Sequence, residues 1–132
     1  MENRLCLIVK TVFYKLKIMK NPLKEKSYAF AVEIVKLTQL LVKEKKEYVL
    51  SKQILKSGTA IGALIRESEF AASKADFINK LTVSLKEANE TEFWLMLLCD
   101  TEFIDKVIFT KLQSDCKELI AMLVSSIKTS KK

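Results

Sequence analysis

Residues 21–42 read NPLKEKSYAFAVEIVKLTQLLV, and the pattern of this stretch predicts a long helix. Asn21 can cap a helix with its side chain, and Pro22 suits the first helical position because no N–H donor is required there. After these two residues, large apolar side chains recur every three or four positions, which is the spacing of one helix face. They are Phe30, Ile34, Leu37 and Leu41.

The apolar face of this helix is broader than a simple amphipathic helix requires. Four more apolar residues flank it. They are Tyr28, Val32, Val35 and Val42. A small bundle cannot bury two adjacent faces of one helix within itself, so we expect part of this surface to contact another copy of the chain.

The rest of the chain predicts three further helices separated by short polar breaks. The second helix spans about residues 48–72. The third begins at a capping box, in which the Ser73 hydroxyl accepts a hydrogen bond from the backbone N–H of Asp76. The fourth follows a break at residues 101–105 and ends at a basic tail, residues 129–132.

Four helices joined by short breaks predict the fold class all-α, as an antiparallel up-down-up-down four-helix bundle over residues 19–128. Composition agrees, since the 132 residues include only 2 glycines and 1 proline, and an apolar fraction of 49% is enough for one buried core. The chain has no histidine, which excludes a Ser-His-Asp triad, a His-ligated zinc site and a Glu-x-x-His di-iron site. We expect no enzymatic activity, no cofactor, no metal and no small-molecule substrate.

The first 18 residues precede the first helix start signal and are predicted to be an N-terminal extension. Two alternatives stay open for this segment. Residues 1–18 can lie upstream of a true start at Met19, or they can form a short extra helix, because apolar residues recur there at helical spacing. Those residues are Leu5, Ile8, Val12 and Leu16.

The lengths of the apolar runs and the spacing of the cysteines predict the cellular location of the chain. The longest apolar runs, residues 5–9 and 93–99, are much shorter than the roughly 20 residues that a membrane-spanning helix needs. The three cysteines are far apart in sequence and form no C-x-x-C pair, which argues against a disulfide framework or a thiolate metal site. We therefore expect a cytoplasmic protein with no membrane contact.

Both glycines of the chain lie in the second predicted helix, where each costs up to about 1 kcal/mol relative to alanine. Such a cost needs a structural reason. Together with their neighbours they form a strip of small residues, along which another helix backbone can approach closely. We predict close helix packing at Ser57, Gly58, Gly62 and Ala63.

One acidic residue falls on a predicted inward face. Glu92 lies between Ala88 and Leu95 on the stripe of the third helix, where a carboxylate must be paired to be buried. Ser57, Ser68 and Arg66 of the second helix are the candidate partners. We predict a buried polar pairing that involves Arg66, Glu67 and Glu92. Two carboxylates can also perform acid–base chemistry, but no nucleophile, metal-ligand set or phosphate loop accompanies them, so a structural role is favoured.

The net charge of the chain is +7, and it is unevenly distributed. Residues 1–20 carry five basic residues against one acidic residue, a net +4, so the remainder carries +3. In that remainder, lysines cluster at the predicted first connection, residues 43–47, and at the start of the second helix. These candidates for contacts with nucleic-acid phosphates are Lys43, Lys45, Lys46, Lys52 and Lys56. Glu44 and Glu47 lie among them, so a salt-bridged, neutral surface is the alternative.

Three segments of the chain resemble one family. Residues 30–37 carry F-A-V-x-I-V-x-L, residues 57–67 carry S-G-T-A-I-G-A-L-I-R-E, and residues 85–95 carry L-K-E-A-N-E-T-E-F-W-L. In order and spacing, these segments resemble the bacterial four-helix bundle proteins encoded in intervening sequences of large-subunit ribosomal RNA genes. The resemblance covers residues 21–128.

This resemblance implies a homopentamer, built as a barrel of antiparallel four-helix bundles, with no established enzymatic activity. A related branch, the accessory variability protein of diversity-generating retroelements, is similar in fold and binds nucleic acid and a reverse transcriptase. We therefore expect the chain to assemble with itself and to bind RNA or a nucleic-acid-processing protein. The alternative is an assembly module that recruits a protein partner and has no nucleic-acid contact.

Overall fold

The computed structural model describes residues 21–132, which form four helices joined by short connections. In chain order these are α1 (Pro22–Lys45), α2 (Leu50–Ser68), α3 (Lys74–Asp100) and α4 (Lys106–Ser130). Within this described part there is no strand, and none of the helices combines the length and apolar content needed to cross a membrane. The predicted extension at residues 1–18 lies outside the described residues.

Two helix starts have the caps that the sequence predicts. The Asn21 side chain accepts a hydrogen bond from the backbone N–H of Lys24 at 3.2 Å, at the start of α1. At the start of α3, the Ser73 hydroxyl accepts from the backbone N–H of Asp76 at 3.0 Å. The Asp76 carboxylate in turn accepts from the N–H of Ala72 at 3.1 Å, so one backbone donor of the first helical turn and one of the preceding connection are satisfied.

The first two helices pack antiparallel. Ser27 lies against Gly62 and Ile34 lies against Gly58, so the contacts run in opposite directions along α1 and α2. α2 also packs against α3, α3 packs against α4, and α1 closes the ring against α4 through a less extensive seam. This order of neighbours, with short connections, confirms the predicted all-α four-helix bundle.

The core lies along the axis of the bundle. All four large side chains predicted for the inward face of α1 are buried. They are Phe30, Ile34, Leu37 and Leu41. On α3 the buried face includes two hydroxyl residues, Ser84 and Thr91, which an apolar pattern does not reveal. The Ser84 hydroxyl donates to the carbonyl oxygen of Ile61 at 2.9 Å, so its burial leaves no unpaired donor.

Some helix ends differ from the prediction. Much of the charged run at residues 43–47 is helical, because the last residue of α1 is Lys45. The next residue, Lys46, is the C-cap, and its φ of 55° is left-handed. Lysine and glutamate favour helix without adding to an apolar pattern, so the pattern stops before the helix does. α2 ends at Ser68, earlier than predicted, and α4 extends to Ser130, which places half of the predicted basic tail inside the helix.

Candidate functional site

Four of the five candidate lysines lie at one end of the bundle, and the fifth, Lys56, lies near the middle of α2. Lys43 and Lys45 are in the last turn of α1, Lys46 caps that helix, and Lys52 and Lys56 lie on α2. All five are exposed, and none forms an ion pair with another residue in the described range 21–132. Lys43 and Lys52 come together across the α1–α2 seam, where both line one depression. This end of the bundle therefore presents a cluster of cations.

Glu47, one of the acidic residues among these lysines, is engaged by the backbone of α2. Its carboxylate accepts hydrogen bonds from the N–H groups of Val49 at 2.9 Å, Leu50 at 2.7 Å and Ser51 at 2.8 Å. Burial alone raises the pKa of the Glu47 carboxyl, but these three donors outweigh it, and the pKa lies below its ordinary value. Glu47 thus caps α2, whose N-cap residue offers no side-chain acceptor.

Two of the five lysines have carboxylates nearby. Burial and the Glu90 carboxylate raise the pKa of Glu87 on α3, and the Lys56 ammonium acts against that rise. Lys45 lines a cleft that also contains acidic residues around the α3–α4 connection, among them Asp100. The basic end is therefore partly neutralised on the sides that face these carboxylates.

The two glycines lie where α2 approaches α1. A Cβ atom at Gly58 would lie 2.9 Å from both Cγ atoms of Ile34, and a Cβ at Gly62 would lie 3.3 Å from the carbonyl group of Ser27. The two helices therefore touch where these residues carry no side chain. Ala63, predicted to share this packing, is instead exposed and lines the outer surface of the α1–α2 seam.

The structure corrects the predicted buried pairing of Arg66, Glu67 and Glu92. Arg66 and Glu67 are exposed, Glu92 is half-buried, and neither a hydrogen bond nor an ion pair joins these three residues. The buried polar residue is Thr91, whose hydroxyl is hydrogen-bonded to that of Ser57 on α2 at 2.9 Å. Positions 91 and 92 both fall near the inward face, and burying a small neutral hydroxyl costs far less than burying a carboxylate.

An apolar groove follows the outer side of the α1–α2 seam; we call it the α1–α2 groove. Tyr28 and Ala63 line a depression of about 310 Å³ towards one end. Val42 and Leu55 line a second depression of about 630 Å³ towards the other. Tyr28 and Val42 are exposed, as the broad apolar face of the first helix predicts, and Leu55 on α2 is exposed as well.

A second apolar area lies on the outer face of α3, and we call it the α3 ridge. It consists of Phe93, 56% exposed, and Met96, 46% exposed, between the exposed carboxylates of Glu90 and Asp100. The Phe93 ring packs edge-on against Trp94, with ring centroids 5.0 Å apart. Among the described residues, Trp94 Nε1 is the one buried side-chain polar atom without a hydrogen-bond partner.

Two observations concern metal ligands and the buried thiol of Cys116. Within residues 21–132, no group of three or more His, Cys, Asp or Glu side chains is placed to hold a metal ion. Burial raises the pKa of the Cys116 thiol to about 12, with the Glu92 carboxylate adding to the rise. The thiol donates a hydrogen bond to the carbonyl of Ala88 at 3.2 Å, so it stays protonated and packs as a small apolar group.

Known proteins share this architecture. The family model described as 23S rRNA-intervening sequence protein matches residues 19–125. A crystal structure of a protein with unknown function from the S23 ribosomal protein family of Bacteroides thetaiotaomicron VPI-5482 is 57% identical to this chain, with a TM-score of 0.80. The match covers 80% of this chain and 98% of that one. The resemblance inferred from the three sequence segments is confirmed, and the chain belongs to the 23S rRNA-intervening sequence protein family.

Proposed function

We propose that this chain is a non-catalytic, self-associating four-helix bundle that binds RNA through the basic end where α1 passes into α2. The observation that carries the proposal is the cluster of exposed lysines at that end, Lys43, Lys45, Lys46 and Lys52, combined with the engagement of Glu47 by the backbone of α2. Lysines gathered at one end can contact several phosphates of one RNA strand, and release of the counterions of those phosphates favours binding.

Self-association is supported by the apolar surface that the bundle leaves exposed. Both the α1–α2 groove and the α3 ridge keep large apolar side chains in contact with water. We expect the assembled form to be a homopentamer, as the family resemblance implies. Repetition of the basic end around a symmetric ring would turn a modest patch into a strong field, which favours a polyanion such as RNA.

The RNA part is tested by fluorescence anisotropy with a labelled, structured RNA across a series of salt concentrations. We expect the logarithm of the binding constant to fall linearly with the logarithm of salt concentration, because several counterions are displaced. The double variant Lys45→Gln with Lys46→Asn should reduce the magnitude of this slope by about 2. Asparagine is chosen at position 46 because it tolerates the left-handed backbone there.

A matched control removes the same charge from exposed positions on α4, as Lys117→Gln with Lys128→Gln. This control should keep most of the affinity. Equal weakening in both double variants would show a diffuse charge effect and overturn the assignment to the basic end. If the wild-type chain shows no salt-dependent binding at all, the RNA part is wrong, and an assembly module that recruits only a protein partner is favoured.

A further inference from the structure

We propose that the basic end binds unpaired RNA nucleotides, with one base stacked on the ring of Tyr48. This inference rests on the RNA binding proposed above and names the form of RNA that the site takes. Tyr48 is the one aromatic residue of the connection between α1 and α2, and it is 52% exposed. An exposed aromatic ring among cations is the combination that binds single strands, because the ring takes a base and the cations take phosphates.

The backbone on both sides of Tyr48 is fixed by hydrogen bonds. Before it, the N–H groups of Lys46 and Glu47 both donate to the carbonyl oxygen of Leu41. After it, the Glu47 carboxylate accepts from the N–H groups at the start of α2, and the Ser51 hydroxyl donates to the carbonyl oxygen of Glu47 at 3.0 Å. The ring is therefore carried by a fixed turn, so little backbone freedom is lost when a base covers it.

The Tyr48 side chain is available to a ligand. Within residues 21–132, its hydroxyl forms no hydrogen bond and its ring packs against no other aromatic ring. Val49, the next residue, is 70% exposed and adds apolar surface beside it. This connection therefore keeps an aromatic and an aliphatic side chain in contact with water, and a stacked base would cover them.

Cations lie close to this ring. Consecutive Cα atoms are about 3.8 Å apart, so the Cα atom of Lys46 lies within about 8 Å of that of Tyr48. Lys43 and Lys52 line the depression of about 630 Å³ on the outer side of the α1–α2 seam. A nucleotide whose base covers the ring therefore has a phosphate within reach of Lys46, and the strand can continue over Lys43 and Lys52.

The carboxylates of this end lie on another side or are already engaged. Glu44 and Asp100 line the cleft beside the α3–α4 connection, together with Lys45, and that cleft is separate from the depression of the α1–α2 seam. Glu47 occupies the backbone N–H groups at the start of α2, so these donors are not free to hold a phosphate. We therefore expect the strand on the α1–α2 side of the connection, with lysines as the donors to its phosphates.

The other large exposed aromatic side chains have carboxylates near them. Phe93 lies on the α3 ridge between two carboxylates, and Phe70 follows two glutamates within three residues. Tyr28 lies beside Lys24, but the ammonium of Lys24 is ion-paired with Glu69 at 3.0 Å. A carboxylate repels a phosphate, so these rings suit an RNA strand less well than Tyr48 does.

Stacking on Tyr48 requires an unpaired base. In an RNA duplex the bases are stacked on one another, and the protein meets mainly phosphates and 2′-hydroxyl groups. Bases of single strands and loops can turn out onto an aromatic ring. Because every base has a π-face, such stacking is tolerant of sequence. The site therefore takes unpaired RNA with little preference among bases.

Fluorescence anisotropy tests this inference with two labelled RNAs, an oligouridine of about 12 nucleotides and a duplex of the same length. We expect Tyr48→Leu to weaken the binding of oligouridine about tenfold at every salt concentration. The slope of its binding constant against salt should equal that of the wild type, because stacking releases no counterion. In contrast, Lys45→Gln with Lys46→Asn should reduce the slope. The duplex should bind equally to the wild type and to Tyr48→Leu.

Matched variants separate the loss of the ring from other effects. Tyr48→Phe keeps the ring and should bind oligouridine within about twofold of the wild type. Phe70→Leu and Tyr28→Leu remove exposed rings elsewhere and should leave the affinity unchanged. Circular dichroism checks that each variant is folded, and Tyr48→Gln replaces Tyr48→Leu if the latter is not.

Polyglutamate tests whether the site binds an acidic protein instead. It carries negative charge but no bases, so it should displace oligouridine from the wild-type chain much less effectively than unlabelled oligouridine does. Equal displacement by polyglutamate would show that the basic end responds to charge alone, and it would overturn the stacking role of Tyr48.

The outcomes separate this inference from the proposed function. Unchanged oligouridine binding by Tyr48→Leu, an equal loss for the duplex, or an equal loss in Phe70→Leu or Tyr28→Leu would overturn the inference. Salt-dependent binding by the wild type in such a case still supports RNA binding at the basic end. A wild-type chain that binds neither RNA would overturn the proposed function, and the inference with it.

Discussion

Helix α1 meets its two neighbours in opposite ways. Against α2, the helices touch where Gly58 and Gly62 carry no side chain, and the fully buried Ile34 fills the contact. Against α4, the seam is less extensive and leaves a cavity of about 230 Å³ with a largely charged lining, where Lys26 forms an ion pair with Glu118. One seam is held by shape, and the other is held partly by charges in contact with solvent.

This difference indicates where the free energy of unfolding is most sensitive to sequence. A closely packed seam tolerates no added atoms, whereas an exposed ion pair contributes little and is screened by salt. The closely packed seam also carries the α1–α2 groove on its outer side, so the same pair of helices supports both the fold and the proposed assembly. We therefore expect the effects of substitutions to decrease from the α1–α2 seam to the α1–α4 seam.

The largest effect is expected at the tight seam, from Gly58→Ala. The new Cβ would lie 2.9 Å from two atoms of Ile34, so we expect the free energy of unfolding to fall by about 2 kcal/mol, despite the better helix propensity of alanine. Urea denaturation measures this loss. Gly62→Ala is the matched comparison, because its Cβ would lie at the less severe distance of 3.3 Å from Ser27. A Gly58→Ala chain that is more stable than the wild type, or a greater loss of stability from Gly62→Ala, would contradict the prediction that the α1–α2 seam is closest at Gly58.

The second-largest loss in the free energy of unfolding is expected from a substitution in the connection between α1 and α2. Glu47→Gln weakens three hydrogen bonds to backbone N–H groups, and we expect a loss of about 1–2 kcal/mol at neutral pH. The pKa of Glu47 is lowered by folding, so its contribution is present above the ordinary value of 4.5 and is lost as the pH falls through the folded-state pKa.

Urea denaturation from pH 7 to pH 3 checks this linkage. The stabilities of the wild-type and Glu47→Gln chains should converge on acidification, because protonation removes the same charge that the substitution removes. Glu44→Gln, at an exposed position three residues earlier, should show almost no loss at any pH. A difference between wild type and Glu47→Gln that stays constant down to pH 3 would contradict the capping role.

A smaller effect is expected at the α2–α3 seam, which tests whether close packing there resembles that of α1–α2. Thr91→Val keeps the shape of the side chain but removes its hydrogen bonds with the Ser57 hydroxyl and with the carbonyl of Glu87, and we expect a loss of about 1 kcal/mol. Combining it with Ser57→Ala should cost less than the sum of the two single losses, since both remove the same bond. Strictly additive losses in thermal or urea unfolding would show that the two hydroxyls act independently.

The smallest effect is expected at the α1–α4 seam. Lys26 and Glu118 are each about half exposed, so Lys26→Ala should lower the free energy of unfolding by about 0.5 kcal/mol or less. This small loss should vanish in 1 M salt, where charges are screened. A loss as large as that of Gly58→Ala would reverse the comparison between the two seams.

Much of the fold is encoded locally and follows from the sequence. The inward face of α1, the cap at Asn21 and the capping box at Ser73 depend on residues within a few positions of one another. The low content of glycine and proline and the absence of histidine then limit the fold class and the kinds of site. These features need no knowledge of how the helices are arranged in space.

Two of the features that sequence reasoning missed depend on the rotation of one helix against another. The sequence predicts Glu92 as the buried polar residue, but the residue that faces Ser57 is its neighbour Thr91. Which of the two adjacent positions faces α2 depends on the rotation of α3. Ala63 belongs to a strip of small residues, but a rotation of α2 turns it outward, away from the close packing. The capping role of Glu47 has a local signal, an acidic residue just before a helix whose N-cap side chain forms no cap, but its place among lysines favours a surface charge.

Self-association is the central claim, because the repetition of the basic end around an assembly depends on it. Sedimentation equilibrium of the wild-type chain at micromolar concentration tests it most directly. We predict a single assembled species several times heavier than the 15.1 kDa of one chain, with five copies as the expected number. A stable species of one chain's mass across that concentration range would contradict the account.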